Sequence, residues 1–231
     1  PKPSGLSIQV LVDKELATFP CADLTATVTD QGVATVEGYV SRPDDISAIK
    51  QRVSGVEGVK ASTADVQLRI WPHCEVVKIL APYKARNEDS GYGLTVTPST
   101  GHSDRFIEGE KVTVKVTQPK YDGYVYVDYY TVTGDVAHIF PHAQESEIGR
   151  ILGGGEQLMI GEEGRGWEVS PPFGQELVTV ISSPTPLYEG TLVEAESAKD
   201  YLPKLRQMLE ANKGNTALAV TYLFMQTEPA R

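Results

Sequence analysis

Cys21 and Cys74 are the only thiols in the sequence, and their chemistry decides which compartments suit the chain. They stand at the two edges of one stretch of alternating helix and strand signals, so a disulfide is the economical reading. A pair of buried free thiols is the alternative. A bridge implies an oxidising compartment, such as periplasm or cell exterior. A redox site would require C-x-x-C, which does not occur. His73 beside Cys74 offers two metal ligands, but no second Cys/His pair stands at finger-like spacing.

Other residues capable of chemistry are scattered. His138 and His142 are four apart with Pro141 between them at a strand end. They do not share a helical face, and they read as partly exposed loop histidines rather than a metal pair. Glu145 and Glu147, and Glu162 and Glu163, sit in Gly-rich turns with no nucleophile framing them, a pattern of solvated charge. Gly153-Gly154-Gly155 lacks the Gly-Lys-Ser/Thr of a phosphate loop and reads as a turn. G-x-S-x-G, H-E-x-x-H and an EF-hand loop are absent. The expectation is a protein that is not an enzyme and holds neither metal nor cofactor. Trp71 reads as a packing residue, and Trp167 as either packing or an exposed contact.

The elements that must position these residues are short. The chain has 231 residues, 40% of them hydrophobic and 23% charged, which is ordinary globular usage. A net charge of −10 argues against a phosphate-backbone binder, and no stretch reaches the roughly 20 apolar residues of a membrane-spanning helix. Pro1–Gly5 carries no signal-peptide core, as in a mature or excised form. Residues 1–85 hold 9 Lys/Arg against 10 Asp/Glu, whereas residues 86–231 hold 12 against 21. The change falls at Lys84–Gly91, a polar stretch that reads as a linker between a module over 1–85 and one over 92–231.

In the first module the spacing predicts a helix over Leu11–Phe19, stopped by Pro20. Strands follow at Leu24–Val28 and Val33–Val40, joined by Thr29-Asp30-Gln31-Gly32 with Gly at the turn. Asp44 is the expected N-cap of a second helix through Ile46, Ile49, Lys50 and Val53, ended by Gly55. Val66–Ile70 is a third strand. This αββαβ order, with Val36-Glu37-Gly38-Tyr39-Val40 before a helix and Gly55-Val56-Glu57-Gly58-Val59 before a strand, resembles the BON domain over about residues 10–72. The resemblance implies a periplasmic or envelope protein that binds phospholipid surfaces or other envelope proteins.

The second module reads as an antiparallel Ig-like β-sandwich, giving an α+β chain. Its strands are Leu94–Thr97, Lys111–Val116, Tyr124–Tyr130, Val136–Phe140 and Leu177–Ile181. A helix capped by Asp200, with Leu202, Leu205, Met208 and Leu209 as its stripe, precedes a last strand at Ala217–Phe224. Glu108–Val112, Asp122–Tyr126, Gly134–Val136 with Ile139-Phe140-Pro141, and Pro172–Val178 match in order the signatures of a bacterial family of unknown function. The resemblance covers about residues 92–188. That family often lies C-terminal to serine/threonine kinase or caspase-like domains and has no assigned catalytic residues.

Together these readings lead to an expected non-enzymatic, envelope-facing binding or sensory region, such as the periplasmic part of a kinase-type sensor or a secretion-associated protein. A structural or assembly subunit of a cell-surface or secretion apparatus is the alternative. The expected partner is an envelope protein, with no nucleic acid and little direct adhesion to anionic membrane; oligomeric state is open. Tyr121, Tyr129, Tyr130 and Trp167 are the candidate partner-binding residues, since aromatic side chains give large contact area at low entropic cost. Alternate ones must face the core.

Overall fold

The computed structural model describes residues 5–98, 104–141, 149–161, 167–190 and 192–230. Its chain contacts divide it into two units, 1–78 and 79–231. No helix among the described residues is long and apolar enough to cross a membrane.

The first unit is built on Ile8, Val12 and Leu16, which recur every four residues and are all buried. They place helix α1 at Gly5–Leu16, earlier than the expected Leu11–Phe19; Leu11 faces outward instead. Strands β1 (Asp23–Val28) and β2 (Val33–Val40) form the expected hairpin, with Gly32 at φ +81° in its turn. Helix α2 (Pro43–Ser54) has Arg42 rather than Asp44 at its N-cap position, because Pro43 takes the first helical position; Asp44 and Asp45 enrich its first turn. Its Ile49 and Val53 are buried, and it crosses to β3 (Ala61–Leu68), which runs parallel to β2. The third strand therefore begins five residues before the expected Val66. The core of this unit gathers Ile8, Val12, Leu16, Ala26, Val36, Val40, Ile49 and Val53.

Helix α3 (His73–Asp89) corrects the linker reading: residues 84–89 are helical, and the helix accommodates Pro82. Cys74, Val76, Val77 and Leu80 are its buried apolar residues. Near its end, the polar Asn87 makes two hydrogen bonds with the backbone of Leu94, donating to its carbonyl at 3.0 Å and accepting from its N–H at 3.2 Å.

The second unit has three sheets among the described residues, two of which share a core and one of which is a two-stranded pair. Of the two that share a core, strands β4 (Thr95–Pro98), β7 (Val114–Thr117) and β10 (Gln157–Ile160) form one, in the order β10-β7-β4. The other has six strands in the order β13-β9-β8-β12-β14-β5: β5 is Arg105–Ile107, β8 Tyr124–Tyr130, β9 Asp135–Phe140, β12 Gln175–Ser183, β13 Ala195–Ser197 and β14 Ala219–Glu228. Lys111–Val116 is split at Thr113, so that β6 (Lys111–Val112) pairs with β11 (Trp167–Glu168) and β7 with a different sheet. Pairing is antiparallel except between β14 and β5, which makes the large sheet mixed. The α+β class stands, with an αβ module followed by a sandwich-like unit.

Every residue of β12 after Gln175 is buried, which requires cover on both faces. Val178 and Val180 enter the core shared with Val96, Val114, Val116 and Ile160 of the smaller sheet. Leu177, Thr179 and Ile181 point the other way, and Asp128 lies opposite Thr179 in register. Helix α4 (Ala198–Ala211) reaches Asp128 through Tyr201, so it covers this second face. Ala198, Tyr201, Leu202, Leu205 and Leu209 are its buried stripe. Its N-cap is Ser197, whose hydroxyl accepts from Lys199 N–H at 3.2 Å; Asp200 sits in the first turn instead of capping.

Candidate functional site

Strand β8 alternates. Val125 and Val127 enter the sandwich core, while Tyr124, Tyr126, Asp128 and Tyr130 share the opposite face. The upper part of that face opens into a cleft of about 300 Å³. Tyr124 and Tyr126 form one wall; Pro186, Tyr188 and Glu189, on the segment after β12, form another; Pro141 and Arg150 also line it. The rings of Tyr126 and Tyr188 lie 5.1 Å apart at 49°. The Tyr126 hydroxyl accepts from Leu187 N–H at 2.9 Å, which fixes the Leu187 wall to the sheet. Burial raises the pKa of both phenols, and for Tyr188 the charge of Asp128 adds to the rise, so they remain neutral hydrogen-bonding groups. The arrangement offers flat aromatic faces with hydroxyl tips, and an Arg and a Glu at the rim, to a ligand with an apolar face and polar edges.

Beneath the cleft lies a buried polar cluster. His138 Nδ1 is 2.7 Å from Asp128 Oδ1, and the Tyr201 hydroxyl donates to Asp128 Oδ2 at 2.8 Å. His138 Nε2 faces Glu196 Oε1 at 3.5 Å, and Lys204 donates to Glu196 Oε2 at 2.6 Å. Asp128 and His138 are each 5% exposed. Burial pushes the imidazole pKa down, but the hydrogen bond and charge of Asp128, reinforced by Glu196, outweigh it, and the pKa lies above that of a free histidine. His138 is therefore a buried imidazole flanked by two acids that favour its protonated form, not the partly exposed loop histidine expected from Pro141.

A second cavity, about 210 Å³, lies where β6, β8 and β12 meet the segment Glu168–Pro172. Tyr129 and Glu176 line it, and the Tyr129 hydroxyl donates to Glu176 Oε2. Burial raises the Glu176 pKa against the opposing hydrogen bonds from Tyr129 and the Val132 backbone.

The residues singled out in the sequence do not form one site. Cys21 and Cys74 are joined in a disulfide. Tyr121 is half-buried, donates to the carbonyl of Ala217 and meets Tyr92 edge-on at 5.6 Å. Tyr129 is half-buried against Glu176. Tyr130 is wholly buried, because α4 covers its part of β8, so it presents no surface to a partner. Trp167 pairs with Val112 through its backbone; its side chain, like His142, Glu145, Glu147, Glu162 and Glu163, lies outside the described residues. Trp71 is 43% exposed, its indole donating to Glu75 at 3.0 Å, and is not the packing residue expected. In the Gly153–Gly155 turn, Gly153 and Gly154 donate their N–H groups to the carboxylates of Glu156 and Asp122. Those N–H groups are occupied by acids of the chain itself rather than poised for a phosphate.

Tyr124, Tyr126 and Tyr188 are the cleft residues that sequence reasoning missed. The alternation of β8 was the available signal, but it does not say which face stays open. Among the described residues no cluster of three or more His, Cys, Asp or Glu is arranged to hold a metal ion. No curated protein matches the chain. Residues 105–186, which run from β5 through β12 to the cleft wall at Pro186 and include Tyr124, Tyr126, Asp128 and His138, match the family model of a domain of unknown function, DUF4384.

Proposed function

We propose that the chain is a non-enzymatic binding or sensory region that faces the cell envelope and seats its ligand in the cleft of Tyr124, Tyr126 and Tyr188. The observation that carries this reading is the cleft itself. Three tyrosines converge on a preformed concavity, together with a rim Arg and a rim Glu. The Cys21–Cys74 disulfide supports a compartment outside the reducing cytoplasm. The BON-like order of the first unit, and the kinase-linked setting of families similar to the second, are in keeping with an envelope sensor whose partner is another envelope component. Absence of catalysis is supported by the placement of the Asp128–His138 pair: its outer nitrogen faces Glu196, a geometry for holding strands together rather than for taking a proton from a substrate.

A fragment screen read by two-dimensional NMR tests the proposal while the natural ligand is unidentified. Fragments with an aromatic or sugar-like face should shift the amides of Tyr124, Tyr126 and Tyr188 together, and Tyr188→Ala should abolish those shifts. Hits spread evenly over the surface, or unaffected by Tyr188→Ala, would reject it.

One observation favours an assembly subunit as a second reading. Strand β3, eight residues long, pairs only with β2 among the described residues and leaves its other edge to a partner strand. Gel filtration separates the readings: a discrete oligomer supports assembly, and a monomer supports the sensor.

A further inference from the structure

We propose that His138 is a proton-operated latch on the tyrosine cleft: its imidazolium clamps β8, β9 and β13 through Asp128 and Glu196, and α4, anchored on the same two carboxylates, braces the Leu187–Gly190 wall. This inference rests on the reading of the cleft as a binding site and adds its regulation.

The mechanical path is continuous. His138 belongs to β9, Asp128 to β8 and Glu196 to β13, so one side chain joins three neighbouring strands of the large sheet. Strand β13 is the edge of that sheet, only three residues long, and runs directly into α4. Its hold on β9 is short: the Ala195–Ser197 register plus the bond from His138 N–H to Glu194 O at 2.9 Å. Helix α4 grips the cluster twice, through Tyr201 on Asp128 and Lys204 on Glu196. At its far end, Asn212 Nδ2 donates to Leu187 O at 3.0 Å, and Leu187 N–H donates to the Tyr126 hydroxyl on the opposite wall. Release of β13 and α4 from the cluster therefore removes a support from the segment that carries Tyr188 and Glu189.

The charges make the clamp sensitive to one proton. With His138 protonated, two carboxylates face two cations, the imidazolium and Lys204, and the cluster is neutral. A neutral imidazole has one N–H, and Asp128 at 2.7 Å claims it at Nδ1. Nε2 then turns a lone pair toward Glu196 Oε1, and attraction becomes repulsion. The other groups around the ring keep their state. The Tyr201 ring lies edge-on 4.6 Å away, and Tyr130 and Tyr188, which feel Asp128, are held as neutral phenols by burial. Because the flanking acids hold the folded-state pKa above the ordinary value of about 6.5, the clamp is complete below that pH and is lost as pH rises through the raised value. Raising the pH through that midpoint loosens the cleft wall, and lowering it restores the hold.

Hydrogen exchange of the full chain as a function of pH, corrected for the intrinsic rate, tests the latch with no ligand present. Residues 187–212 should open progressively, by roughly tenfold per pH unit above the His138 midpoint for a single linked proton, while β4, β7 and β10 stay unchanged. The midpoint is read independently from the His138 ring resonances. His138→Gln should flatten the profile. Glu196→Gln removes a charge that favours the imidazolium and should move the midpoint to lower pH, and this variant decides the matter if His138→Gln does not fold. A flat profile in the wild type, an unchanged slope in His138→Gln, or an unmoved midpoint in Glu196→Gln would overturn the latch and leave the cleft reading intact. Failure of the fragment screen at the cleft would reject that reading and leave the exchange result standing.

Discussion

Gln9 closes the outer edge of β1 at Ala26: its Nε2 donates to the Ala26 carbonyl at 3.0 Å, and its Oε1 accepts from the N–H of Val28 at 2.9 Å. A side-chain amide from α1 thus takes the place of a neighbouring strand, and Asp13, one turn on, accepts from the same nitrogen at 2.8 Å. Gln9→Leu should cost the first unit about 1–3 kcal/mol, because two backbone groups lose their partners. It should also raise the exchange of Val28 N–H and increase light scattering at high concentration as the edge becomes available. Unchanged exchange at Val28 would show that the clamp is incidental.

The disulfide carries a larger share of the first unit. Cys21 and Cys74 are 53 positions apart, and closing a loop of that length restricts the unfolded chain by about 4 kcal/mol in the entropy picture. Reductant, or Cys21→Ser with Cys74→Ser, should lower the unfolding temperature of residues 1–78 by many degrees. Residues 79–231 contain no Cys and should unfold as before. Two titratable thiols in the unfolded, unreduced protein would remove the premise.

Gly38 occupies a position in β2 that no other residue fits. Its φ is +129°, and an added Cβ would lie 2.0 Å from the carbonyl oxygen of Asp23 on the paired strand. Gly38→Ala should destabilise the first unit by roughly 2 kcal/mol or more, since the backbone of β1 must shift or β2 must change conformation. Chemical denaturation checks this, and a loss below about 0.5 kcal/mol, the range of an ordinary surface substitution, would contradict the close approach.

Glu176 ties the second unit to pH in a direction that can be measured. Burial raises its folded-state pKa above 4.5, so the folded state binds its proton more tightly than the unfolded chain does. Its contribution is complete below pH 4.5 and is lost as pH rises through the raised value. Glu176→Gln keeps an acceptor for the Tyr129 hydroxyl and removes the buried charge. The variant should gain on the order of 1 kcal/mol at neutral pH and show a flatter stability profile above pH 4.5. A variant less stable than wild type at neutral pH would mean that the carboxylate is stabilised by partners stronger than Tyr129 and Val132.

How far the sequence carries the architecture depends on where each element's determinants lie. Strand β2, the β1–β2 turn and β8 were legible, because period-two alternation and a turn Gly are local signals. The Cys21–Cys74 bridge was legible from position alone. Helix α3 was not. Its buried apolar residues, Cys74 to Leu80, occupy only the first half, and the polar stretch from Lys84 to Gly91 reads as a linker. That second half is secured by partners distant in sequence, such as Arg86, which donates to the carbonyl of Asn215 at 2.9 Å. The site suffers from the same limitation. Asp128, His138, Glu196 and Tyr201 come from four elements, and nothing local to any of them announces the others. Tyr124 and Tyr130 share one face of one strand, yet only the position of α4 decides that the first lines an opening and the second is sealed.

The place of β14 in the large sheet sets an order on synthesis. It lies between β12 and β5, and it pairs antiparallel with one and parallel with the other, although the ribosome makes it after both. Until residues 219–228 emerge, the nine-residue β12 has one bare flank and β5 has no strand beside it among the described residues. The sandwich therefore cannot be completed from its N-terminal side as it is translated. A stalled or prematurely released chain exposes that flank to other nascent chains, and chaperones that shield extended apolar segments have the most to do in that interval.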